Sequence, residues 1–228
     1  MKQVAAVCLD LDDTLWEIAP VIERAESVFY AWLGETYPDV TALFSPGDIR
    51  ELRGSIAEEY PDRAHDLGWL RRRTYQRMAE AADCSDTMVT TAFAVFQAAR
   101  NQVSLFEDVV PVLEALSRQR ALFALTNGNA CLSTIGLSGF FEHIFTAAEL
   151  GAAKPDPRVF REVCRRSGLP AQDIVHVGND PHRDVVAPLG IGMRAVWVNR
   201  GAAAWPDDAG PPAPEVSDLY GLLDLLDT

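Results

Sequence analysis

The chain has 228 residues, of which 33 are Asp or Glu and 20 are Lys or Arg, and its formal net charge is −13. A charge this negative disfavours binding to nucleic acid or to an anionic membrane, because both of those partners are themselves negative. The mixed composition is that of a globular protein, and a chain of this length can bury a substantial hydrophobic core.

The cysteines and the N-terminus predict the compartment. Cys8, Cys84, Cys131 and Cys164 are widely separated and form no CxxC pair, which is typical of reduced thiols in the cytosol and argues against a zinc site. The first apolar run ends at Asp10 and is too short for a signal peptide, and no stretch approaches the roughly 20 apolar residues of a membrane span. We therefore expect a cytoplasmic protein with neither a membrane nor a nucleic-acid partner.

Three acidic residues follow the first predicted strand. The run 4–9 is short, unbroken and apolar, as expected of a strand buried on both faces of a parallel sheet. Alternate side chains of a strand share a face, so Asp10 and Asp12 should point the same way while Asp13 turns aside. Two carboxylates held that close repel each other unless a cation or a shared proton compensates, and a hard divalent cation such as Mg²⁺, which prefers oxygen ligands, is the natural solution. One of the acids could simply cap the next helix, but capping explains one and not three.

A helical segment follows these acids. Apolar residues at three- and four-residue spacing predict one long helix over 18–33, which Tyr37-Pro38 should end. Capping residues and apolar stripes predict three further helices, which begin near Ser45, Leu67 and Ser85. Because the segment contains no convincing strand pattern, we assign residues 17–103 to a small all-helical domain that is inserted after the first strand.

From Val109 onward, predicted strands and helices alternate. The strands are 121–125, 144–146, 174–177 and 195–198. The helices begin near Pro111 and then occupy about 130–136, 157–167, 182–189 and 219–226. Such alternation predicts an α/β fold, a Rossmann-like parallel sheet core with helices on both faces, and we assign residues 1–16 and 104–228 to it.

Polar residues follow each of the central predicted strands. They are Thr126, Asn127 and Gly128 after the second strand, Lys154 after the third, and Asn179 and Asp180 after the fourth, with Asp184 one helical turn further on. In an open α/β sheet, ligands bind at the carboxyl ends of the strands, so these groups should meet the acids of the first strand. Taken singly, the first group could be a plain turn and the lysine a solvated loop residue, but their joint occurrence favours a site.

In order and in local sequence, these segments resemble the four motifs of the haloacid dehalogenase-like hydrolase superfamily. The matching segments are Val7 to Leu15, Leu125 to Gly128, Ala153 to Pro157, and His176 to Asp184. The resemblance spans nearly the whole chain, and it identifies the helical insert as the cap domain of the superfamily's helical-cap branch. It implies Mg²⁺-dependent hydrolysis of a small-molecule phosphate monoester through an aspartyl-phosphate intermediate.

The resemblance also implies a role for each residue of the site. Asp10 would attack phosphorus, while Asp12 would protonate the leaving alkoxide and later deprotonate water. Thr126 would hold a phosphoryl oxygen, and Lys154 would neutralise charge on the phosphoryl group and on Asp10. The expected substrate-binding residues are Thr126, Asn127, Gly128 and Trp16, the last at the mouth of the pocket.

The expected metal ligands include a departure from the family pattern. The family most often has Gly-Asp at the start of the fourth motif, whereas here Gly178 is followed by Asn179. An amide oxygen can still bind a hard cation, but the lost charge should weaken binding. The metal set is therefore Asp10, Asp12, which also offers its main-chain carbonyl by resemblance, and Asn179 or Asp180. Asp184 is expected to orient Lys154 or the loop.

Two alternative functions remain open on the sequence. A 2-haloacid dehalogenase would use Asp10 to attack carbon, but that branch of the family lacks an acid two residues after the nucleophile and needs no cation. A non-catalytic binding protein on a hydrolase scaffold is suggested by Asn179, although intact Asp10, Asp12 and Lys154 count against it. We expect a monomer or a homodimer.

Overall fold

The computed structural model describes residues 4–227 and divides into two compact units. The α/β unit takes in the chain up to Glu17, then Ser104–Gly128 and the chain from Leu132 onward. The helical unit consists of Ile18–Val103 and Asn129–Cys131. Each unit therefore has its own internal packing, and each is described separately below.

The short segment 129–131 belongs to the helical unit, whereas the sequence pattern assigns it to the α/β core. Hydrogen bonds explain the difference. The Gln97 side-chain amide donates to the Asn129 carbonyl at 2.5 Å, and the Cys131 N–H donates to Asn101 Oδ1 at 2.9 Å. Such main-chain contacts by polar side chains leave no trace in a hydrophobic pattern.

The α/β unit is built on one parallel sheet. Its strands are β1 Ala6–Leu9, β2 Ala121–Thr126, β3 His143–Thr146, β4 Ile174–Gly178, β5 Arg194–Val198 and β6 Glu215–Val216. They lie in the order β3-β2-β1-β4-β5-β6, and every pair is parallel. This order confirms the predicted Rossmann-like α/β class. Strand β6 was not predicted, because two residues are too short to show a period.

The helices of both units follow the order of the chain. In the helical unit they are α1 Ile18–Thr36, α2 Pro38–Leu43, α3 Pro46–Glu59, α4 Leu67–Ala81 and α5 Asp86–Arg100. In the α/β unit they are α6 Val109–Ser117, α7 Leu132–Ile135, α8 Ala147–Leu150, α9 Pro157–Ser167, a π-helix Pro181–Val186, α10 Ala187–Leu189 and α11 Leu219–Asp227. No helix within residues 4–227 is both long and apolar enough to cross a bilayer.

Helices cover both faces of the sheet. Cys8 of β1 and Phe123 of β2 are buried against Phe160 of α9 on one face. Helix α6 packs against β2 and against α11, and its buried residues include Val112 and Leu116. Because Val7 and Leu9 alternate with Cys8, β1 is apolar on both sides, and all four of its residues are buried. The core therefore lies around β1, at the centre of the sheet.

The helical unit has its own apolar core. Phe29 of α1 stacks on Tyr75 of α4 with ring centroids 4.5 Å apart, and both rings are buried. Ser45 caps α3 as predicted, in a capping box in which its hydroxyl and the Asp48 carboxylate each accept a main-chain N–H. Helix α1 ends at Thr36 as predicted, and Pro38 then begins α2, because proline suits the first helical turn.

Candidate active site

The candidate site lies at the carboxyl ends of three neighbouring strands. Asp10 follows β1, Thr126 ends β2, and Asn179 follows β4. The register places Leu9 beside both Ala124 and Val177, so the chain leaves these strands at nearly the same level. This is the edge where ligands bind in open α/β sheets, at the point where the strand order changes direction.

Lys154 lies at the centre of the site and joins two carboxylates. Its ammonium donates to Asp10 Oδ1 at 2.6 Å and to Asp184 Oδ1 at 2.7 Å. All three residues are buried, with exposures of 4% for Lys154, 7% for Asp10 and 2% for Asp184. A buried ammonium needs such partners, because desolvating an unpaired charge is costly. Lys154 is therefore a fixed cation of the site and no solvated loop lysine.

The charges of these three groups are coupled. Burial raises the pKa of the Asp10 carboxyl to about 7, assisted by the negative charge of Asp184 and opposed by Lys154. Burial would raise the pKa of Asp184 too, but Lys154 and His176 outweigh it and hold that pKa well below its usual range. Burial disfavours a charged Lys154, yet the two carboxylates raise the pKa of its amine. Lys154 and Asp184 are thus an ionised pair, and Asp10 is the carboxyl most sensitive to a ligand's charge.

Asn127, in the second motif, binds the main chain of Lys154. Asn127 Oδ1 accepts from the Lys154 N–H at 2.8 Å, and Asn127 Nδ2 donates to the Lys154 carbonyl at 2.9 Å. The Asn127 side chain, which we expected to contact substrate, therefore makes hydrogen bonds to the main chain of Lys154. Thr126 Oγ1 accepts from the Gly128 N–H at 2.9 Å, which leaves the hydroxyl proton of Thr126 free to donate to a ligand.

Oxygen atoms from β1 and β4 converge on Thr14. Its hydroxyl lies 3.3 Å from Asp10 Oδ2 and 3.4 Å from Asn179 Oδ1. Carboxylate, hydroxyl and amide oxygens are donors that a hard cation accepts, so this cluster fits Mg²⁺ in chemistry. Among residues 4–227, no three His, Cys, Asp or Glu side chains converge to hold a metal. A cation here would therefore depend on Asn179 and on main-chain oxygen as well as on Asp10.

Asp180 caps the N-terminus of a helix. Its Oδ1 accepts from the main-chain N–H groups of His182 and Arg183, both at 2.9 Å, and so caps the π-helix that begins at Pro181. The neighbouring Asn179 is held differently, because its carbonyl accepts from the Trp197 indole at 2.8 Å while its side chain lies beside Thr14. Of the two candidate ligands, Asn179 is the one whose side chain contacts Thr14 in the cluster around Asp10, whereas the Asp180 carboxylate caps a helix.

Asp12 and Asp13 take different places after β1. Asp12 is half-buried, and its Oδ1 accepts from the Trp16 indole at 2.9 Å. Asp13 has a φ of 61°, a left-handed conformation that Asp tolerates, which agrees with its expected place in a turn. Trp16 is fully buried, so the expectation that it lies at the mouth of the pocket is wrong. Its indole instead fixes the orientation of the Asp12 carboxyl.

Asp184 is built into the site through Gly178. A Cβ at Gly178 would lie only 2.4 Å from Asp184 Cγ, so the absence of a side chain there makes room for the carboxylate. Asp184 Oδ2 also accepts from the Asp180 N–H at 3.0 Å. Asp184 thus binds the Lys154 ammonium, as the sequence predicts for a residue that orients the lysine.

Two residues that hold the first motif in place were not predicted from the sequence. Thr14 is fully buried between Asp10 and Asn179, and only its place inside the motif could have drawn attention to it. Arg200 donates to the Thr14 carbonyl at 3.0 Å and to both oxygens of Asp108 at 2.8 and 3.1 Å. Its guanidinium also lies 4.0 Å from the Phe106 ring. An arginine in a loop rich in Gly and Ala gives no sequence signal of this kind.

Comparison with known proteins agrees with this geometry. The family model described as haloacid dehalogenase-like hydrolase matches residues 4–192. Among curated proteins, the chain is 29% identical to 5-amino-6-(5-phospho-D-ribitylamino)uracil phosphatase YigB of Escherichia coli, over 87% of this chain and 84% of that one. It is 31% identical to phosphoserine phosphatase of Thermus thermophilus, over 92% and 94% of the two chains.

A solved structure is similar along the entire length. The crystal structure of 2-haloacid dehalogenase from Pseudomonas syringae superposes with a TM-score of 0.93 at 35% identity, over 99% of each chain. The four motifs, the strand order and the family match agree with one another. The chain therefore belongs to the haloacid dehalogenase-like hydrolases.

Proposed function

We propose that this hydrolase is a phosphatase that cleaves a small-molecule phosphate monoester with Asp10 as the nucleophile. The observation that carries the proposal is Asp12, a second carboxyl two residues after Asp10, which is half-buried and oriented by the Trp16 indole. A phosphate ester needs an acid for its leaving alkoxide and a base for water, and one carboxyl at this position can serve both steps. The two curated phosphatases that match most of the chain support the same reading.

The proposed reaction has two steps. In the first, an oxygen of Asp10 forms a bond to phosphorus while the ester P–O bond breaks, and Asp12 gives its proton to the leaving alkoxide. In the second, Asp12 takes a proton from water, whose oxygen bonds to phosphorus as the Asp10–phosphorus bond breaks. Inorganic phosphate leaves, and both carboxyls return to their starting states.

Lys154 and Thr126 would stabilise charge during these steps. The Lys154 ammonium lies 2.6 Å from Asp10 Oδ1, so a phosphoryl group on Asp10 would lie within its reach. Thr126 is buried at the end of β2, where its hydroxyl proton can donate to a phosphoryl oxygen. A cation and a donor fixed before the reaction stabilise developing charge without reorganisation. The main-chain N–H of Asn127 is a further candidate donor.

Mg²⁺ would complete the site and neutralise charge on the phosphoryl group. We propose Asp10, Asn179 and the main-chain carbonyl of Asp12 as its protein ligands, and we disfavour the side chain of Asp180, which caps a helix. An amide in place of a carboxylate removes one negative charge, so we expect a weaker site than an all-acid one.

A second candidate function is 2-haloacid dehalogenation. It is favoured by the structural similarity to the 2-haloacid dehalogenase of Pseudomonas syringae. In that reaction Asp10 would attack carbon and a halide would leave, so the leaving group needs no proton. The reaction therefore gives Asp12 no acid function, and this is why we rank it second.

One parallel assay separates the candidates. Purified protein is given an aryl phosphate or 2-chloropropionate, each with Mg²⁺ or with EDTA, and the release of phosphate and chloride is measured beside Asp10→Asn. We expect phosphate release that requires Mg²⁺ and is lost in Asp10→Asn. Chloride release that persists in EDTA would establish the dehalogenase instead. No turnover of either compound or of a broad panel of metabolite phosphates would favour a non-catalytic binding protein.

A further inference from the structure

A buried histidine contacts Asp184, one of the two carboxylates that bind Lys154. His176 belongs to β4, is completely buried, and pairs in register with Cys8 of β1. Its ring is nearly perpendicular to that of Phe160 of α9, with centroids 5.3 Å apart and planes at 83°. Its Nε2 lies 3.1 Å from Asp184 Oδ1. The imidazole thus contacts the same carboxylate oxygen that binds Lys154.

The proton of this hydrogen bond belongs to the histidine. Asp184 is ionised beside Lys154, so its oxygen can only accept and Nε2 must donate. Burial lowers the pKa of His176, an effect that its hydrogen bond to Asp184 only partly opposes. The ring is therefore neutral, with its hydrogen on Nε2. Its other nitrogen, Nδ1, is buried and has no hydrogen-bond partner among the described residues.

A histidine is a costly residue for this position if packing is its only purpose. The flanking residues Val175 and Val177 are buried and apolar, as is usual in a central parallel strand. An apolar side chain would fill the space without leaving a buried nitrogen unpaired. Buried polar groups without a partner call for an explanation, and here the Nε2 contact with Asp184 supplies one.

The contact matters because Asp184 is held from three directions. Its Oδ1 accepts from Lys154 and from His176, and its Oδ2 accepts from the Asp180 N–H. Without the imidazole, Asp184 would keep Lys154 at Oδ1 and the Asp180 N–H at Oδ2, and would lose one of the three hydrogen bonds that orient its carboxylate. A less firmly oriented Asp184 would alter the position of the Lys154 ammonium, which also binds Asp10. A displacement of about 1 Å near a reacting group can slow catalysis by about 10²-fold.

We propose that His176 is a positioning residue, which acts through Asp184 to hold the Lys154 ammonium at Asp10. Its hydrogen bond goes to Asp184, which is neither the proposed nucleophile nor a proposed metal ligand, so its effect is indirect. The kinetic part of the inference rests on the proposed phosphatase function, whereas the hydrogen bond and the tautomer do not.

The kinetic test compares His176→Met with His176→Gln. Both side chains are unbranched and similar in length, but only Gln places an N–H donor where the imidazole has Nε2. We expect His176→Met to lower kcat for an aryl phosphate about tenfold or more, the usual size of an effect through a supporting hydrogen bond, with little change in KM. His176→Gln should recover most of kcat.

A control separates positioning from general loss of stability. Val163→Ala removes buried apolar volume from α9, in the same core cluster as Cys8 and Phe160, and Val163 is none of the residues placed in the site. It should lower the unfolding midpoint in urea while leaving kcat unchanged. Equal kcat in His176→Met and the wild type would overturn the inference, and so would an equal loss of kcat in the Met and Gln variants with both folded.

A second arm needs no activity. Long-range ¹H–¹⁵N spectra of the wild-type protein report which ring nitrogen carries the hydrogen. We expect a neutral imidazole protonated at Nε2, and a change in the Lys154 side-chain ¹⁵N signal in His176→Met. A hydrogen on Nδ1 or an unchanged lysine signal would overturn the inference. Absence of phosphatase activity in the wild type, with these spectra as expected, would instead refute the proposed function alone.

Discussion

Asn127 binds the main chain of Lys154 at both its N–H and its carbonyl, through hydrogen bonds of 2.8 and 2.9 Å. These two residues are far apart in sequence and come from different motifs. One side-chain amide thus satisfies two polar groups that would otherwise be left without partners near the buried lysine. Asn127 of the second motif therefore holds the main chain of Lys154, which belongs to the third motif. This helps to position the Lys154 ammonium.

Loss of the two hydrogen bonds from Asn127 to the Lys154 main chain should reduce both the stability of the fold and kcat. In Asn127→Leu, the Lys154 N–H and carbonyl lose their partners, which costs roughly 1–3 kcal/mol for each buried group left unsatisfied. We expect a lower free energy of unfolding in urea and a kcat reduced by an order of magnitude or more. Asn127→Asp is the matched comparison, since it keeps the acceptor but loses the donor, and it should fall between. Wild-type kcat in Asn127→Leu would show that these hydrogen bonds are not needed to position Lys154.

The metal assignment predicts opposite behaviour for two adjacent residues. Asn179→Ala should raise the Mg²⁺ concentration that gives half-maximal activity, and Asn179→Asp should lower it, because a carboxylate adds a negative charge to the site. Asp180→Ala should leave the Mg²⁺ requirement unchanged but destabilise the fold by about 1 kcal/mol, the usual cost of losing a helix cap. The titrations and urea melts of the three variants are sufficient to decide. A raised Mg²⁺ requirement in Asp180→Ala would reverse the assignment.

Gly178 should tolerate no side chain. A Cβ there would meet Asp184 Cγ at 2.4 Å, so Gly178→Ala must displace a carboxylate that binds Lys154. We expect a loss of about 1–3 kcal/mol of stability, as for other overpacked sites, together with loss of activity. Gly54→Ala in helix α3 is the control, because a Cβ there meets nothing within 4 Å and Ala favours helix. Equal stability of the two variants would contradict the packing argument.

Arg200 should support the first motif in a way that lysine cannot replace. Its guanidinium bonds the Thr14 carbonyl and both oxygens of Asp108, and it lies over Phe106. A lysine has neither the planar fork nor the stacking surface. We expect Arg200→Lys and Arg200→Met to be destabilised to a similar extent, by roughly 2–4 kcal/mol, because both lose the two-oxygen pairing with the buried Asp108, which then keeps the Leu219 N–H as a donor. Near-wild-type stability of Arg200→Lys would show that charge alone suffices.

The fold and most of the site could be predicted from the sequence for a physical reason. Buried parallel strands are short apolar runs, and the polar residues after Leu9 and Leu125 stand out because they end such runs. Strand order then brings these ends together, as the contacts between Lys154 and Asp10 show.

The remaining features depend on side-chain direction, which spacing does not reveal. Asp180 and Asn179 are adjacent, yet one caps a helix and the other lies beside Thr14. The apolar pattern equally gives no indication that Asn127 binds main chain, or that Trp16 lies buried against Asp12. The π-helix after Pro181 replaces the ordinary helix expected there, because hydrophobic periodicity over six residues cannot tell the two apart.

In the proposed reaction, Asp10 and Asp12 act together on a phosphate ester, as nucleophile and as general acid–base. The rate of phosphate release from an aryl phosphate with Mg²⁺ is compared among the wild type, Asp10→Asn and Asp12→Asn. We predict turnover by the wild type and a loss of at least about 100-fold in each variant, since general acid–base groups contribute roughly 10²- to 10⁴-fold. An Asp12→Asn variant with wild-type turnover would contradict the account.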